Sequence, residues 1–134
     1  MTYAKNRTRV VVTGIGAVSP LGLNVNDFWQ GLIEGRSGVG LTTQFDSSEL
    51  SCKISGEVKG FDPTDFIERK ESRRMARFTQ FAIASAKMAV ENADIDLSKE
   101  DPERLGIYLG NGIGGLPEIE DGCHEIETKG GMRL

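Results

Sequence analysis

Cysteine is scarce in this 134-residue chain. Cys52 and Cys123 are too few for a disulfide framework and lack the spacing of metal ligands, so neither a stapled secreted scaffold nor a metal site is expected. The chain also lacks an apolar signal segment near Met1 and any apolar run long enough to span a bilayer; the expectation is a cytoplasmic protein without membrane insertion. Excess positive charge is missing too. Sixteen Lys and Arg stand against twenty Asp and Glu, a net charge of −4 that argues against a protein that coats nucleic acid and makes any basic patch a local feature. No internal repeat is visible, and the carboxylates are spread without a confined pair suited to acid–base work.

Glycine is what the chain has in excess. Its 17 glycines cluster at specific places, which suggests tight turns in a single domain of ordinary length. Val10, Val11 and Val12 are stiff at χ1 and show no apolar/polar alternation, so residues 9–16 predict a central, buried strand. Gly14 and Gly16 then permit close backbone approaches, and Ser19, Pro20, Leu21 and Gly22 predict a turn. Asn24 predicts a helix cap before Phe28 or Trp29, Leu32 and Ile33, with Gly35 as the stop. Residues 36–51 read as a surface excursion and 54–58 as a short strand, while Asp62 and Pro63 open a short helix.

Residues 69–92 carry the longest helical periodicity, with Met75, Phe78, Ala82, Ala86, Ala89 and Ala93 on one stripe. Between Phe81 and Ala86 every side is apolar or small, which predicts burial between two layers and close packing through alanine. Ser98 and Asp101 mark a further helical turn, and residues 105–109 predict a second buried strand ending in a glycine loop at 110–115. Residues 117–128 predict an acidic helix, and 129–134 read as a loop.

Three features invite chemistry. The first glycine turn suggests a dinucleotide fingerprint, but the third glycine is replaced by Ser19 and then Pro20; the second glycine loop lacks the Lys-Ser/Thr of a phosphate cradle. Cys123 and His124 are sequence neighbours, and neighbours on one element point different ways, so they read as structural rather than as a thiol–imidazole pair. Lys70, Arg73, Arg74 and Arg77 recur at three- and four-residue steps beside Arg69, forming one basic face at a helix start. Two readings of that face stay open: a docking surface for an anionic partner, or a solvated face paired with Glu68 and Glu71.

Four ordered motifs, RVVVTGIGAVSPLG at 9–22, RKESRRM at 69–75, RFTQFA at 77–82 and GNGIGG at 110–115, together resemble the amino-terminal part of the elongating, type II β-ketoacyl-[acyl-carrier-protein] synthases. The resemblance covers essentially residues 1–134. It implies the N-terminal part of a thiolase-like α/β fold, layered α/β/α/β/α, in a homodimeric fatty-acid enzyme that performs decarboxylative Claisen condensation on acyl- and malonyl-loaded acyl carrier protein. It implies no cofactor bound by the chain itself, since phosphopantetheine arrives on the carrier. The family's catalytic cysteine and two histidines match neither Cys52, Cys123 nor His124, so no catalytic residue is assigned and these residues alone are expected to be inactive. By position, Lys70, Arg73 and Arg74 match the cations that dock the carrier, and Ile113 matches the acyl-pocket residue that influences chain length. The same motifs are compatible with a non-catalytic, chain-length-factor-like or truncated carrier-binding protein.

Overall fold

A computed structural model describes residues 8–130. Its order is helix α1 (Val25–Ile33), strands β1 (Val39–Leu41) and β2 (Ile54–Gly56), a 3-10 turn at Pro63–Asp65, helices α2 (Arg69–Ser72) and α3 (Arg77–Asn92), a second 3-10 turn at Pro102–Arg104, and helix α4 (Leu116–Lys129). The expected starts follow from local side-chain chemistry. The Asn24 side chain accepts from the Asp27 N–H, Asp62 from Thr64, and Asp101 from Glu103. Gly35 terminates α1 in the left-handed region at φ +66°. The acidic helix predicted at 117–128 is α4; residues 131–134 of the loop expected after it lie outside the described residues.

Helix α3 is the axis of the molecule. Gly14 and Gly16 lie directly on its second half: a Cβ on Gly14 would meet Ala89 O and stand 2.6 Å from Ala93 Cβ, and one on Gly16 would meet Ser85 O and stand 2.9 Å from Ala89 N. The small residues Ser85 and Ala89 of α3, and Ala93 at its C-terminal cap, thus admit a backbone, and the Ile15 N–H donates to Asn92 Oδ1 at 3.0 Å. The second glycine loop covers the other end, where a Cβ on Gly114 would stand 2.6 Å from Phe78 Cδ1.

The core lies beneath the first half of α3. Phe61, Ile67 and Ala84 are buried, with Ser72 beside them. The Phe61 ring meets Phe81 edge-on at 5.0 Å and stacks on Phe66 at 6.1 Å, and Lys87 Nζ donates to Phe66 O.

Four expectations need correction. The runs at 9–16 and 105–109 form no paired strand among the described residues, and Val10, Val12, Ile107 and Tyr108 are more than four-fifths exposed. A strand exists only through its neighbours, and no strand among the described residues stands beside them. The excursion at 36–51 contains β1, which pairs antiparallel with β2 from Val39 opposite Gly56 to Leu41 opposite Ile54. Residues 81–85 are half-buried apart from fully enclosed Ala84, and Ala86 is exposed, so the described chain covers the axial helix on one side. Finally, the helix predicted over 69–92 is two helices: α2 ends at Ser72, and α3 begins at Arg77 after Ala76, whose ψ of 150° is extended.

Candidate functional site

The break between α2 and α3 changes the basic cluster. A continuous helix would place Lys70, Arg73, Arg74 and Arg77 along one stripe, whereas here they divide into three and one. Arg77 turns toward the core. Its Nη2 donates to Val58 O at 3.1 Å, and its guanidinium lies 4.9 Å from the Phe81 ring centroid and 5.7 Å from that of Phe61. Lys70, Arg73 and Arg74 remain exposed on the elbow.

Among the described residues neither glutamate expected to neutralise this face pairs with it within 4.0 Å. The Glu68 carboxylate caps α2, accepting from the Lys70 N–H at 2.8 Å and the Glu71 N–H at 3.2 Å. Among the described residues, the ion pairs within 4.0 Å join Arg36 to Glu34, Lys99 to Asp96 and Lys129 to Glu125; none includes Lys70, Arg73 or Arg74. Arg69 faces Asp62, whose carboxyl is held below its ordinary range first by the Thr64 hydroxyl, then by the Thr64 N–H, with the Arg69 charge adding to both. The elbow therefore presents three exposed cations with free hydrogen-bonding capacity.

The second candidate, Ile113, sits in the glycine loop over the start of α3 and is 80 % exposed. Beside that loop lies a cavity of about 270 Å³, walled by Phe78, Phe81, Ala82, Leu109 and Asn111. Ile113 is not part of its wall, although Gly110 is. Cys52 and Cys123 are both free and exposed, and among the described residues no group of three or more His, Cys, Asp or Glu side chains is placed to hold a metal ion. No helix of the described residues is long and apolar enough to cross a membrane.

Two residues of the elbow escape the sequence. Arg77 carries the same periodic signal as the exposed cations, and its inward turn depends on the break. Gln80 lies off the apolar stripe of α3 and reaches back to donate to Ser72 O and Met75 O, at 2.8 and 3.2 Å. No glycine or proline marks the break, so neither role leaves a sequence signature.

Residues 7–131 match the family described as beta-ketoacyl synthase, N-terminal domain, and the chain belongs to it. It is 44 % identical over 127 residues to the 3-oxoacyl-[acyl-carrier-protein] synthase 2 of Synechocystis sp., and 40 % identical over 126 residues to that of Staphylococcus aureus strain COL, covering 95 % and 94 % of this chain. It spans 30 % of the length of each of these relatives. Among solved structures it is similar to a type II polyketide-synthase acyl-carrier protein in complex with its ketosynthase bound to the hexaketide. That match has a TM-score of 0.74 and 30 % identity over 93 % of this chain and 32 % of the other. The ishigamide ketosynthase/chain length factor matches with a TM-score of 0.64 and 36 % identity over 69 % of this chain and 23 % of that one. The fold class is accordingly that of the thiolase-like ketosynthases, of which these residues form the N-terminal part.

Proposed function

We propose that this chain is the N-terminal portion of a 3-oxoacyl-[acyl-carrier-protein] synthase that elongates acyl chains by decarboxylative Claisen condensation with malonyl-acyl-carrier protein, in fatty-acid synthesis. Within that enzyme it supplies the carrier-docking surface (Lys70, Arg73, Arg74), a wall of the acyl pocket (Ile113) and scaffold. Condensation itself falls to a cysteine and two histidines that these residues do not include. The phosphopantetheine arm enters on the carrier, and the enzyme works as a cytoplasmic homodimer.

The observation that carries this reading is the cation triplet on the elbow, exposed and without a carboxylate of the described residues within 4.0 Å. An acidic carrier meeting such a surface is steered by long-range attraction that salt screens within about 10 Å at 0.1 M. The kinship with a ketosynthase captured with its carrier protein supports the same assignment.

The test is binding of acyl-carrier protein to the full-length enzyme carrying Lys70→Glu, Arg73→Glu and Arg74→Glu. Affinity should fall by about two orders of magnitude at low salt, and its salt dependence should flatten. Unchanged affinity would remove the docking assignment. For the pocket, Ile113→Phe should shift the products of the full-length enzyme toward shorter chains by excluding methylenes worth about 1 kcal/mol or more apiece. An identical product profile would make Ile113 a bystander.

The likeness to a ketosynthase/chain length factor favours one second reading, a carrier-binding subunit without condensing activity. Condensation by the purified full-length protein, supplied with acyl primer and malonyl-carrier, decides between the two.

A further inference from the structure

The elbow is a costly conformation that its own backbone does not stabilise. Helix α2 has four residues, too few to persist alone, and α3 starts at Ala76 with no side-chain cap. In an uninterrupted helix, Ser72 O would accept from the N–H of residue 76 and Met75 O from that of residue 79. Here the Thr79 N–H goes to Ala76 O instead, and Ser72 O keeps only the 3.2 Å bond from the Met75 N–H. The break therefore takes the carbonyls of Ser72, Arg73, Arg74 and Met75 out of the helical ladder; of these, Ser72 O and Met75 O lie in the less exposed place where under-satisfied acceptors are expensive.

One side chain answers both. Gln80 Nε2 donates to Ser72 O and to Met75 O, replacing the two lost donors with the two hydrogens of a single carboxamide. These carbonyls bracket Arg73 and Arg74, so the group that fixes them also fixes the backbone from which two of the three exposed cations project. We infer that Gln80 is a positioning residue for carrier docking: it locks the α2–α3 elbow in the form that holds Lys70, Arg73 and Arg74 outward and lets Arg77 turn in. This rests on the docking reading above and adds its specificity determinant. Gln80 itself needs no contact with the carrier.

The lock acts on geometry rather than charge. With it, the triplet meets the carrier pre-formed; without it, the segment regains the option of continuous helix, in which Arg77 rejoins the outward stripe and the spacing of the cations changes. Ordering that segment again on each encounter reduces affinity without altering chemistry once the carrier is bound.

The experiment uses the full-length condensing enzyme with two variants. Gln80→Glu is isosteric but at neutral pH offers no donor to either carbonyl, and Gln80→Met removes both donors without adding charge. Both should raise KM for carrier-borne substrate about fivefold to tenfold with kcat held within about twofold, and both should leave turnover of a primer supplied as a carrier-free pantetheine thioester unchanged. In a background already carrying Lys70→Glu, Arg73→Glu and Arg74→Glu, the effect of Gln80→Met on KM should disappear, because an elbow without its cations has nothing to position. An unaltered KM in both Gln80 variants, alongside a strong effect of the triple reversal, overturns the role of Gln80 and leaves docking intact. Equal loss with carrier-borne and carrier-free primers also overturns it, since that is the mark of general destabilisation. If the triple reversal itself changes nothing, the docking reading has failed, and the inference falls with it.

Discussion

The elbow and the two branched-chain runs are both rich in signals of burial, yet they stand in opposite conditions. Around the elbow, Phe61, Ile67 and Ala84 are enclosed, Arg77 and Gln80 meet acceptors, and no buried side-chain nitrogen or oxygen among the described residues lacks a hydrogen-bond partner. At the runs, Val10, Val12, Ile107 and Tyr108 lie open, with no strand of the described residues beside them. The difference is one of reach. A cap, a cation over a ring, or an amide bridging two carbonyls is completed within some twenty residues, whereas a central strand is completed by strands that can lie anywhere in a layered fold.

That contrast is broken most severely by placing a charge in a run. In the full-length protein Val11→Asp should prevent folding or cost more than about 3 kcal/mol if the rest of that protein turns this run into a strand buried on both faces, where a carboxylate has no water and no partner. The loss of soluble, cooperatively melting protein checks this. A variant as stable as its parent would show that the run stays at the surface in the complete molecule.

Phe61→Ala tests the self-contained side. The ring is 8 % exposed and touches Phe66, Phe81 and the Arg77 guanidinium, so its removal should cost about 3 kcal/mol in denaturant unfolding of the full-length protein. The two variants together sharpen the comparison. Phe61 owes its burial to residues described here, while Val11 would owe its burial to residues elsewhere. A cost below about 1 kcal/mol for Phe61→Ala would mean that the aromatic cluster is replaceable packing rather than the base of the elbow.

Legibility in the sequence follows the same division. Asn24, Asp62 and Asp101 announced their caps, and Gly35 its stop, because each acts on backbone two or three residues away. Gly14 and Gly16 signalled a close approach, although only the structure identifies Ser85, Ala89 and Ala93 as what they approach. The break after Ser72 was invisible: RRMAR contains neither glycine nor proline, the apolar stripe begins only at Met75, inside it, and Lys70, Arg73, Arg74 and Arg77 keep helical steps across it. Hydrophobic periodicity records which residues face inward and not whether the helix between them is continuous. For the same reason the triplet of Lys70, Arg73 and Arg74 was readable as basic residues, while the separation of Arg77 from them was not. Strand β1, three residues with a glycine at its centre, carries too weak a pattern to distinguish from loop.

The smallest effect belongs to the hairpin, where a single partly exposed carboxylate ties the β1 side to the β2 side. Glu57 accepts from the Thr43 hydroxyl at 2.7 Å, from the Thr43 and Gln44 N–H groups at 2.8 and 3.2 Å, and from the Ser55 hydroxyl at 3.3 Å. The Thr43 hydroxyl and then its N–H are the main causes that bring the carboxyl from the usual 4.5 down to about 2. Because the folded value is depressed, the contribution is present above 4.5 and is lost as pH falls from there through about 2. Solvent reaches this group, so the consequence is local fraying rather than global unfolding. Amide exchange at Thr43 and Gln44, corrected for its intrinsic pH dependence, should become less protected across that interval. Glu57→Gln should show reduced protection already at neutral pH, with no titration of its own. Protection that is insensitive to both acid and substitution would mean that the short β1–β2 ladder holds this end of the hairpin without the carboxylate, making it as self-sufficient as the elbow.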